Sequence, residues 1–133
     1  MSVKIQLKNG LLYTSIKLTY EGKSIIVNDV IIDTGAFHTI LSPDFLEELQ
    51  AGFTDDDVLI EAYGYGGASN YAVRKRIDTI ACDDILLSDF KIDFGEIDPD
   101  EKVNGLLGLD FFRKAEIVLD IGQLNMYRKN NSY

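Results

Sequence analysis

Apolar and polar residues alternate along most of this chain with a period of two, which is typical of half-buried β-strands. Residues 11–20 and 24–32 are rich in β-branched side chains and flank Glu21-Gly22-Lys23, so they predict a β-hairpin. A second turn is predicted at Gly122-Gln123. The same pattern predicts further strands over residues 57–63, 69–77, 85–94, 116–121 and 124–129.

Helical signals are short and few. Ser42-Pro43-Asp44 offers a capping serine, a proline suited to the first helical position and an acidic residue for the first turn, which predicts a helix through Leu49. A second short helix is predicted from Asp110 to Lys114. With two prolines and no internal repeat, the chain predicts a single mostly-β domain over residues 1–133, built on a closed or strongly curved sheet.

Charge narrows the possible partners. The chain has 22 acidic against 13 basic residues, and its net charge of −9 repels phosphate backbones and anionic lipid. Residues 1–8 lack the apolar core of a secretory signal, and no segment approaches the ~20 apolar residues that span a bilayer. We therefore expect a cytoplasmic protein without nucleic-acid or membrane partners.

The single cysteine, the single histidine and the one cluster of basic residues do not indicate a further catalytic or binding site. Cys82 is the only cysteine and His38 the only histidine, so the chain contains neither an internal disulfide nor a Cys/His zinc site. We interpret Arg74-Lys75-Arg76 as a solvated strand edge that resists aggregation.

One segment combines a strand end with a carboxylate. Val30-Ile31-Ile32 is an apolar run that ends on Asp33, and Thr34-Gly35-Ala36 follows. Glycine allows a tight turn and the threonine hydroxyl can lock it, so the carboxylate would be held among oriented dipoles and apolar walls. On this tripeptide alone, Asp33 as an ordinary turn residue remains an equal alternative.

Two later segments help to decide between a carboxylate held for chemistry and an ordinary turn residue. Tyr63-Gly64-Tyr65-Gly66-Gly67 lies between two predicted strands, and no helix follows it. It therefore predicts a hairpin tip rather than a phosphate-binding loop. Residues 103–112 place an apolar pair and a glycine before the second helix, which alone would indicate a core strand with a tight exit.

In their order and spacing, these segments resemble the retropepsin-like aspartic proteases, the single-lobe family typified by retroviral proteases. The resemblance implies a mainly β, closed single-lobe barrel with a ψ-shaped active-site loop, a flap hairpin and one or two short helices. Leu106, Leu107 and Gly108 would thread beside the catalytic strand. The segments that carry the resemblance are Asp33-Thr34-Gly35-Ala36, Gly64-Tyr65-Gly66-Gly67, Gly105-Leu106-Leu107-Gly108-Leu109-Asp110 and Leu119-Asp120-Ile121.

The resemblance also implies the site. Asp33, Thr34 and Gly35 would be catalytic, with no metal or organic cofactor. An extended peptide or protein substrate would lie between the active-site floor and the flap as an added strand. The backbone N–H of Tyr65 would approach it. The implied substrate-binding residues are Ala36, Phe37, Gly64, Tyr65, Gly66, Gly67 and Leu107.

The number of Asp-Thr-Gly segments determines the oligomeric state that we expect. Aspartic proteases use two carboxyl groups that share one proton, and this chain has one Asp-Thr-Gly. Asp120-Ile121-Gly122 lacks the hydroxyl, and Asp110 is expected to cap the second helix. We therefore expect a homodimer with two Asp33 carboxyls about 3 Å apart and two Thr34 side chains bracing them. By resemblance, residues 1–8 and 124–133 would form the interface.

The sequence departs from the family directly after the motif. Positions that are commonly small or polar are here Phe37 and His38. Phe37 could narrow or fill a substrate pocket. His38 either reports pH to Asp33 or is a solvent-facing or satisfied turn residue. Two functions follow: an aspartic endopeptidase, or a catalytically silent retropepsin-like module for dimerisation or peptide binding.

Overall fold

The computed structural model describes residues 2–63, 69–97 and 103–129. Within these ranges the chain forms eleven strands and two short helices. In chain order they are β1 (Val3–Lys4), β2 (Gln6–Lys8), β3 (Leu11–Tyr20), β4 (Lys23–Ile32), β5 (Ile40–Leu41), α1 (Asp44–Glu48), β6 (Val58–Tyr63), β7 (Ser69–Cys82), β8 (Ile85–Gly95), β9 (Gly105–Leu107), α2 (Leu109–Lys114), β10 (Ile117–Asp120) and β11 (Asn125–Arg128).

Six strands close into a β-barrel. Within one sheet, the neighbouring strands of the barrel are, in order, β3, β4, β9, β5, β8 and β7. An antiparallel pairing of β3 with β7 joins the first of these six strands to the last. β2 and β6 extend this sheet, while β1, β11 and β10 form a separate three-stranded sheet. The predicted fold, mainly β with a closed barrel and one or two short helices, is confirmed. The extent of the domain, residues 1–133, stays a prediction.

The β3–β4 hairpin shows how the sequence builds the barrel. Tyr20 pairs with Lys23, so the loop consists of Glu21 and Gly22. Their φ angles of 48° and 81° identify a type I′ turn, whose twist matches that of the flanking strands. Alternate β3 side chains then point inward. The fully buried core side chains include Leu18, Val27, Leu41, Ile77, Ile80, Ile92, Leu107, Phe111 and Met126.

The strand predictions hold best where strands are long. The predicted strand over 69–77 extends to Cys82, because this segment pairs with both β8 and β3. The two-residue or three-residue strands β1, β2, β5 and β9 are too short for a periodic signal. Helix α1 starts one residue later than predicted, with Pro43 as its cap, and the Ser42 hydroxyl accepts a hydrogen bond from the Asp44 N–H at 3.3 Å.

A buried ion pair involves Lys75, a residue of β7. Lys75 Nζ donates to Asp57 Oδ2 at 2.7 Å, and each side chain is only 2% exposed. The ammonium also lies 5.0 Å from the ring centroid of Tyr20. The interpretation of Arg74-Lys75-Arg76 as a solvated edge is therefore wrong for Lys75. β7 pairs on both sides, with β6 and β8, so alternate side chains point into the core.

None of the helices among the described residues is long and apolar enough to cross a membrane.

Candidate active site

Asp33 stands at the end of β4, next to β9. The two strands run parallel, with Ile32 opposite Leu107. The Asp33 N–H donates to the Leu107 carbonyl at 3.0 Å, so the β-ladder continues as far as the aspartate backbone. The side chain is half-buried at the point where β4 ends and the chain turns.

The turn after Asp33 orients its carboxylate. The Ala36 N–H donates to the Asp33 carbonyl at 3.1 Å, which closes a β-turn. The Gly35 N–H donates to Asp33 Oδ1 at 2.9 Å. A Cβ at Gly35 would lie 3.2 Å from the same oxygen, a tight contact that glycine avoids. One carboxylate oxygen is thus held by the backbone.

Thr39 anchors the far end of this loop to α2. Its hydroxyl donates to Asp110 Oδ1 at 2.7 Å and accepts from the Gly108 N–H at 3.0 Å. The Thr39 N–H lies 3.0 Å from both Asp110 oxygens, and Thr39 is fully buried. Helix α2 begins at Leu109 with Gly108 as its N-cap and no capping side chain, so the expected capping role of Asp110 is wrong. Its carboxylate instead accepts from the Phe111 N–H at 2.8 Å within the first turn. Asp110 therefore joins the loop to the first turn of α2.

Gly108 permits this close approach. A Cβ there would lie 2.7 Å from the His38 carbonyl carbon and 2.9 Å from the Ala36 oxygen, closer than side chains tolerate. The next residue, Leu109, donates its N–H to the same Ala36 oxygen at 2.8 Å. The start of α2 and the loop after Asp33 therefore form one hydrogen-bonded unit.

Removing the Thr39 hydroxyl should loosen this unit. In Thr39→Val the buried Gly108 N–H loses its acceptor and Asp110 Oδ1 loses one of its three donors, which is expected to lower the free energy of unfolding by about 1–3 kcal/mol. Thr39→Ser keeps the hydroxyl and should lose less. Urea unfolding at neutral pH measures both variants, and equal losses in valine and serine would contradict a hydrogen-bonding role.

The other predicted site residues have distinct environments. Thr34 is exposed, and its hydroxyl has no hydrogen-bond partner among the described residues. Ala36 is half-buried, whereas Phe37 is 76% exposed. The predicted flap residues Gly64, Tyr65, Gly66 and Gly67 lie outside the described residues. Their flanking strands β6 and β7 pair from Val58 opposite Arg74 to Tyr63 opposite Ser69.

The prediction that the Leu107 side chain contacts substrate needs correction. Leu107 is fully buried in the core and leaves no surface for a ligand. Its carbonyl instead fixes the Asp33 backbone. Its neighbour Leu106 is half-buried, because successive side chains of a strand point to opposite faces.

Two nitrogen-bearing side chains, His38 and Arg74, lie near Asp110. His38 Nδ1 lies 3.9 Å from Asp110 Oδ2, and the imidazole is 42% exposed, so His38 sits beside Asp110 as a turn residue. Arg74 forms two hydrogen bonds to Asp93, at 2.7 and 3.0 Å. This pairing raises the pKa of the Arg74 guanidinium, and the nearby charge of Asp110 raises it further.

Two other candidate groups have structural roles. Asp120 Oδ1 accepts from the Gln123 N–H at 2.9 Å and closes the turn between β10 and β11. Burial raises the pKa of Cys82 to about 11, so its thiol stays protonated at neutral pH and is a poor nucleophile. Within the described residues, no three His, Cys, Asp or Glu side chains are grouped to hold a metal ion.

The sequence interpretation missed the role of Thr39. A usable signal was present, because period two places Thr39 on the same face as Leu41, which is buried. A threonine pointing into a core needs a partner for its hydroxyl. The identity of that partner, Asp110, is not visible locally because the two residues are 71 positions apart.

Thr34 is one of the residues that line an apolar groove of about 420 Å³. It runs between α2 and β10. Its lining residues are Thr34, Leu109, Phe112, Arg113, Glu116, Ile117 and Leu119.

Comparisons with known proteins agree with this geometry. A family model described as "Aspartyl protease" matches residues 16–111. The crystal structure of a retropepsin-like aspartic protease from Rickettsia conorii superposes with a TM-score of 0.65 at 16% identity, covering 95% of this chain and 86% of that one. The retroviral protease-like domain of Ddi1 from Leishmania major gives 0.62 at 14% identity, covering 90% and 89%. No curated protein sequence matches significantly. The resemblance seen in the sequence is confirmed.

Proposed function

This chain belongs to the aspartyl protease family, and on that premise we propose that it is an aspartic-type endopeptidase, a hydrolase that acts as a homodimer. Asp33 from each of two protomers would supply the two carboxyl groups. The observation that carries the proposal is the Asp33 turn. Its backbone is held by Leu107 and Ala36, its carboxylate is oriented by Gly35, and the turn itself is exposed.

The chemistry requires two carboxyls with different protonation. Two like charges about 3 Å apart cannot both ionise, so the pair shares one proton. The ionised carboxylate takes a proton from water as the water oxygen attacks the peptide carbonyl carbon, while the protonated carboxyl gives its proton to the carbonyl oxygen. Proton transfer to the amide nitrogen then breaks the C–N bond and releases an acid and an amine.

A peptide substrate is proposed to bind in extended form across Asp33. Its backbone would pair as an added strand, with side chains alternating between two faces. Ala36 and Phe37 would border it on the floor side. We retain Gly64, Tyr65, Gly66 and Gly67 as proposed contacts on the flap side.

The homodimer is supported by what surrounds Thr34. The exposed Thr34 hydroxyl stands next to Asp33, so a two-fold axis at Asp33 also brings two Thr34 side chains together. The apolar groove that Thr34 helps to line would offer Leu109, Ile117 and Leu119 as surface for a second copy.

We expect Thr34→Val to weaken the dimer by roughly tenfold in dissociation constant, because a net hydrogen bond per protomer is lost. The fold should be unchanged, since the hydroxyl makes no hydrogen bond within the described residues. Sedimentation over a concentration series measures the change. Ser88→Ala removes an exposed hydroxyl on β8 and serves as the control. A wild-type chain that cleaves peptide while remaining monomeric would contradict the dimer.

The direct test of function is cleavage of an unfolded protein or a peptide library by the wild-type chain. Loss of that cleavage on Asp33→Asn would support the endopeptidase. A wild-type chain that binds peptide without cleaving it would instead support the catalytically silent module.

A further inference from the structure

Strand β6 is a free edge of the large sheet. It pairs only with β7 among the described residues, in a regular antiparallel register from Val58 opposite Arg74 to Tyr63 opposite Ser69. An edge strand directs the N–H and C=O groups of alternate residues away from its partner, so these groups remain available to a further strand. β6 contains neither proline nor lysine, and its register with β7 has no bulge, so it lacks the features that usually block such an edge.

Exposed apolar side chains lie along this edge. Val58 and Leu59 are 52% and 62% exposed, and because they are successive residues of a strand, they point to opposite faces of the sheet. Tyr71, opposite Glu61 on β7, is 62% exposed, and Phe53 in the loop before β6 is also exposed. Exposed apolar groups on both faces of a free edge indicate a surface that a partner covers.

The negative charge of the chain is concentrated in the same region. Residues 24–73 contain nine acidic residues and no lysine or arginine, so they account for the whole net charge of −9, and the remaining residues carry 13 charges of each sign. Several of these acidic side chains are exposed on α1, in the loop after it and on β6. They are Asp44, Glu47, Glu48, Asp55, Asp56 and Glu61.

The first basic residues after this acidic stretch are already paired with other carboxylates. Arg74 makes two hydrogen bonds to Asp93, and the buried Lys75 donates to Asp57. Within residues 2–63, 69–97 and 103–129, none of the exposed acidic side chains on α1, the following loop and β6 forms an ion pair. A partner with positive charge is therefore favoured at this edge.

The charge distinguishes between possible occupants of the edge. A second copy that paired β6 with β6 across a two-fold axis would bring the same acidic groups together, which disfavours it. Anionic lipid and nucleic acid are repelled for the same reason. An extended protein segment with basic residues among apolar ones matches both the charge and the exposed apolar side chains.

We propose that the free edge of β6 is a docking site for an extended, basic and apolar segment of a partner protein, which adds to the sheet as a further strand. Backbone hydrogen bonds would pair the two strands, while Asp55, Asp56 and Glu61 would attract basic side chains of the segment. β6 is not a neighbour of β4 or β9, the strands that hold Asp33, so the inference does not depend on the proposed protease chemistry.

The test uses the whole chain carrying Asp33→Asn, so that no probe is cleaved and the outcome is separate from that of the proposed function. Short fluorescein-labelled peptides are titrated by fluorescence anisotropy. One alternates Lys and Val, one alternates Glu and Val, and one is the Lys–Val peptide with every amide N-methylated, which removes its backbone donors. The Lys–Val peptide should bind at least roughly tenfold more tightly than either of the others. No binding of this peptide, or equal binding of its N-methylated form, overturns the proposal.

Variants test whether the acidic groups beside β6 attract the peptide. Asp55→Asn combined with Asp56→Asn should weaken binding of the Lys–Val peptide roughly tenfold. Asp83→Asn combined with Asp84→Asn removes two exposed acidic groups from the turn between β7 and β8, and should change the affinity little. Equal weakening by the two double variants would show attraction to the net charge alone and would overturn the docking site.

Amide hydrogen exchange locates the bound peptide. Exchange of the β6 amides should slow when the Lys–Val peptide binds, and Leu59→Ala should weaken binding roughly threefold to tenfold, whereas Leu86→Ala, at an exposed leucine of β8, should not. Slowing confined to the Asp33 turn would place the peptide at that turn and overturn the proposal. Association of the peptide-free chain that Leu59→Lys abolishes would identify a second copy as the occupant, which also overturns it.

Discussion

Replacing Asp33 by asparagine should reduce peptide cleavage by roughly 10⁴-fold or more, because neither protomer can then accept or donate the proton on which the reaction depends. Asparagine has nearly the same shape, and its amide oxygen can still accept the Gly35 N–H that lies 2.9 Å from Asp33 Oδ1. The turn should therefore persist. Thermal unfolding and the oligomeric state are measured alongside cleavage of a fluorogenic peptide.

The matched control is Asp120→Asn. Asp120-Ile121-Gly122 is another Asp-x-Gly segment of the chain, but its carboxylate closes the β10–β11 turn, and an asparagine oxygen can also accept that hydrogen bond. Cleavage should remain near the wild-type rate. Full activity in Asp33→Asn would refute the aspartic protease mechanism.

Mixing wild-type protein with the Asp33→Asn variant tests whether the site is shared between two protomers. If one carboxyl comes from each protomer, excess Asp33→Asn chain should suppress wild-type activity as mixed dimers form. Activity that simply follows the amount of wild-type chain would show that a single protomer suffices.

The largest stability effect is expected at the buried ion pair. Lys75→Met should lower the free energy of unfolding by about 3–5 kcal/mol, because it leaves Asp57 charged in a site where its side chain is 2% exposed. The Thr54 N–H at 2.8 Å would be the main remaining hydrogen-bond donor to that carboxylate. Urea unfolding at pH 7 measures the loss. Replacing both residues by apolar ones should recover much of it.

Arg76→Met provides the control on the same strand. Arg76 pairs with Asp89 at 2.5 Å, but its side chain is 51% exposed and that of Asp89 is 74% exposed. Exposed pairs contribute about 0–1 kcal/mol, so this variant should change little. Similar losses in both variants would contradict the role assigned to burial.

The pH dependence of unfolding gives a second readout. Burial by itself raises the pKa of Asp57, but the hydrogen bonds from Lys75 and Thr54 outweigh it and hold the pKa below its usual value. The stabilisation is therefore present above about pH 4 and is lost as pH falls through the folded-state pKa. In Lys75→Met the sign should reverse, since burial without a partner raises the pKa and protonation then stabilises the fold.

Much of the fold follows from local patterns. Alternation predicted the long strands, and the Glu21-Gly22 turn has the positive φ angles that a tight hairpin needs. The order of the Asp33-Thr34-Gly35 and Gly105–Asp110 segments indicated the family. Strand β9 was indicated by the apolar pair before the second helix, but β5 was not recognised, because two residues carry no measurable period and its pairing comes from distant segments.

Some features of the candidate site could be recognised only from the tertiary structure. Leu106 and Leu107 are adjacent apolar residues that the sequence cannot distinguish. The parallel register with β4 directs Leu107 into the core and its carbonyl to Asp33. Asp110 was expected to begin and cap the second helix but lies one residue inside it, and its bonds to Thr39 join segments 71 residues apart.

The sequence by itself determined which segments become strands, where the chain turns tightly and which carboxylate ends an apolar strand, because these depend on neighbouring residues. Only the tertiary structure decided that Lys75 is buried against Asp57, that Thr39 ties the loop after Asp33 to α2, and that Phe37 is left exposed. Closure of the barrel brings β3 against β7 and β4 against β9, and contacts between such distant segments depend on that closure rather than on local sequence.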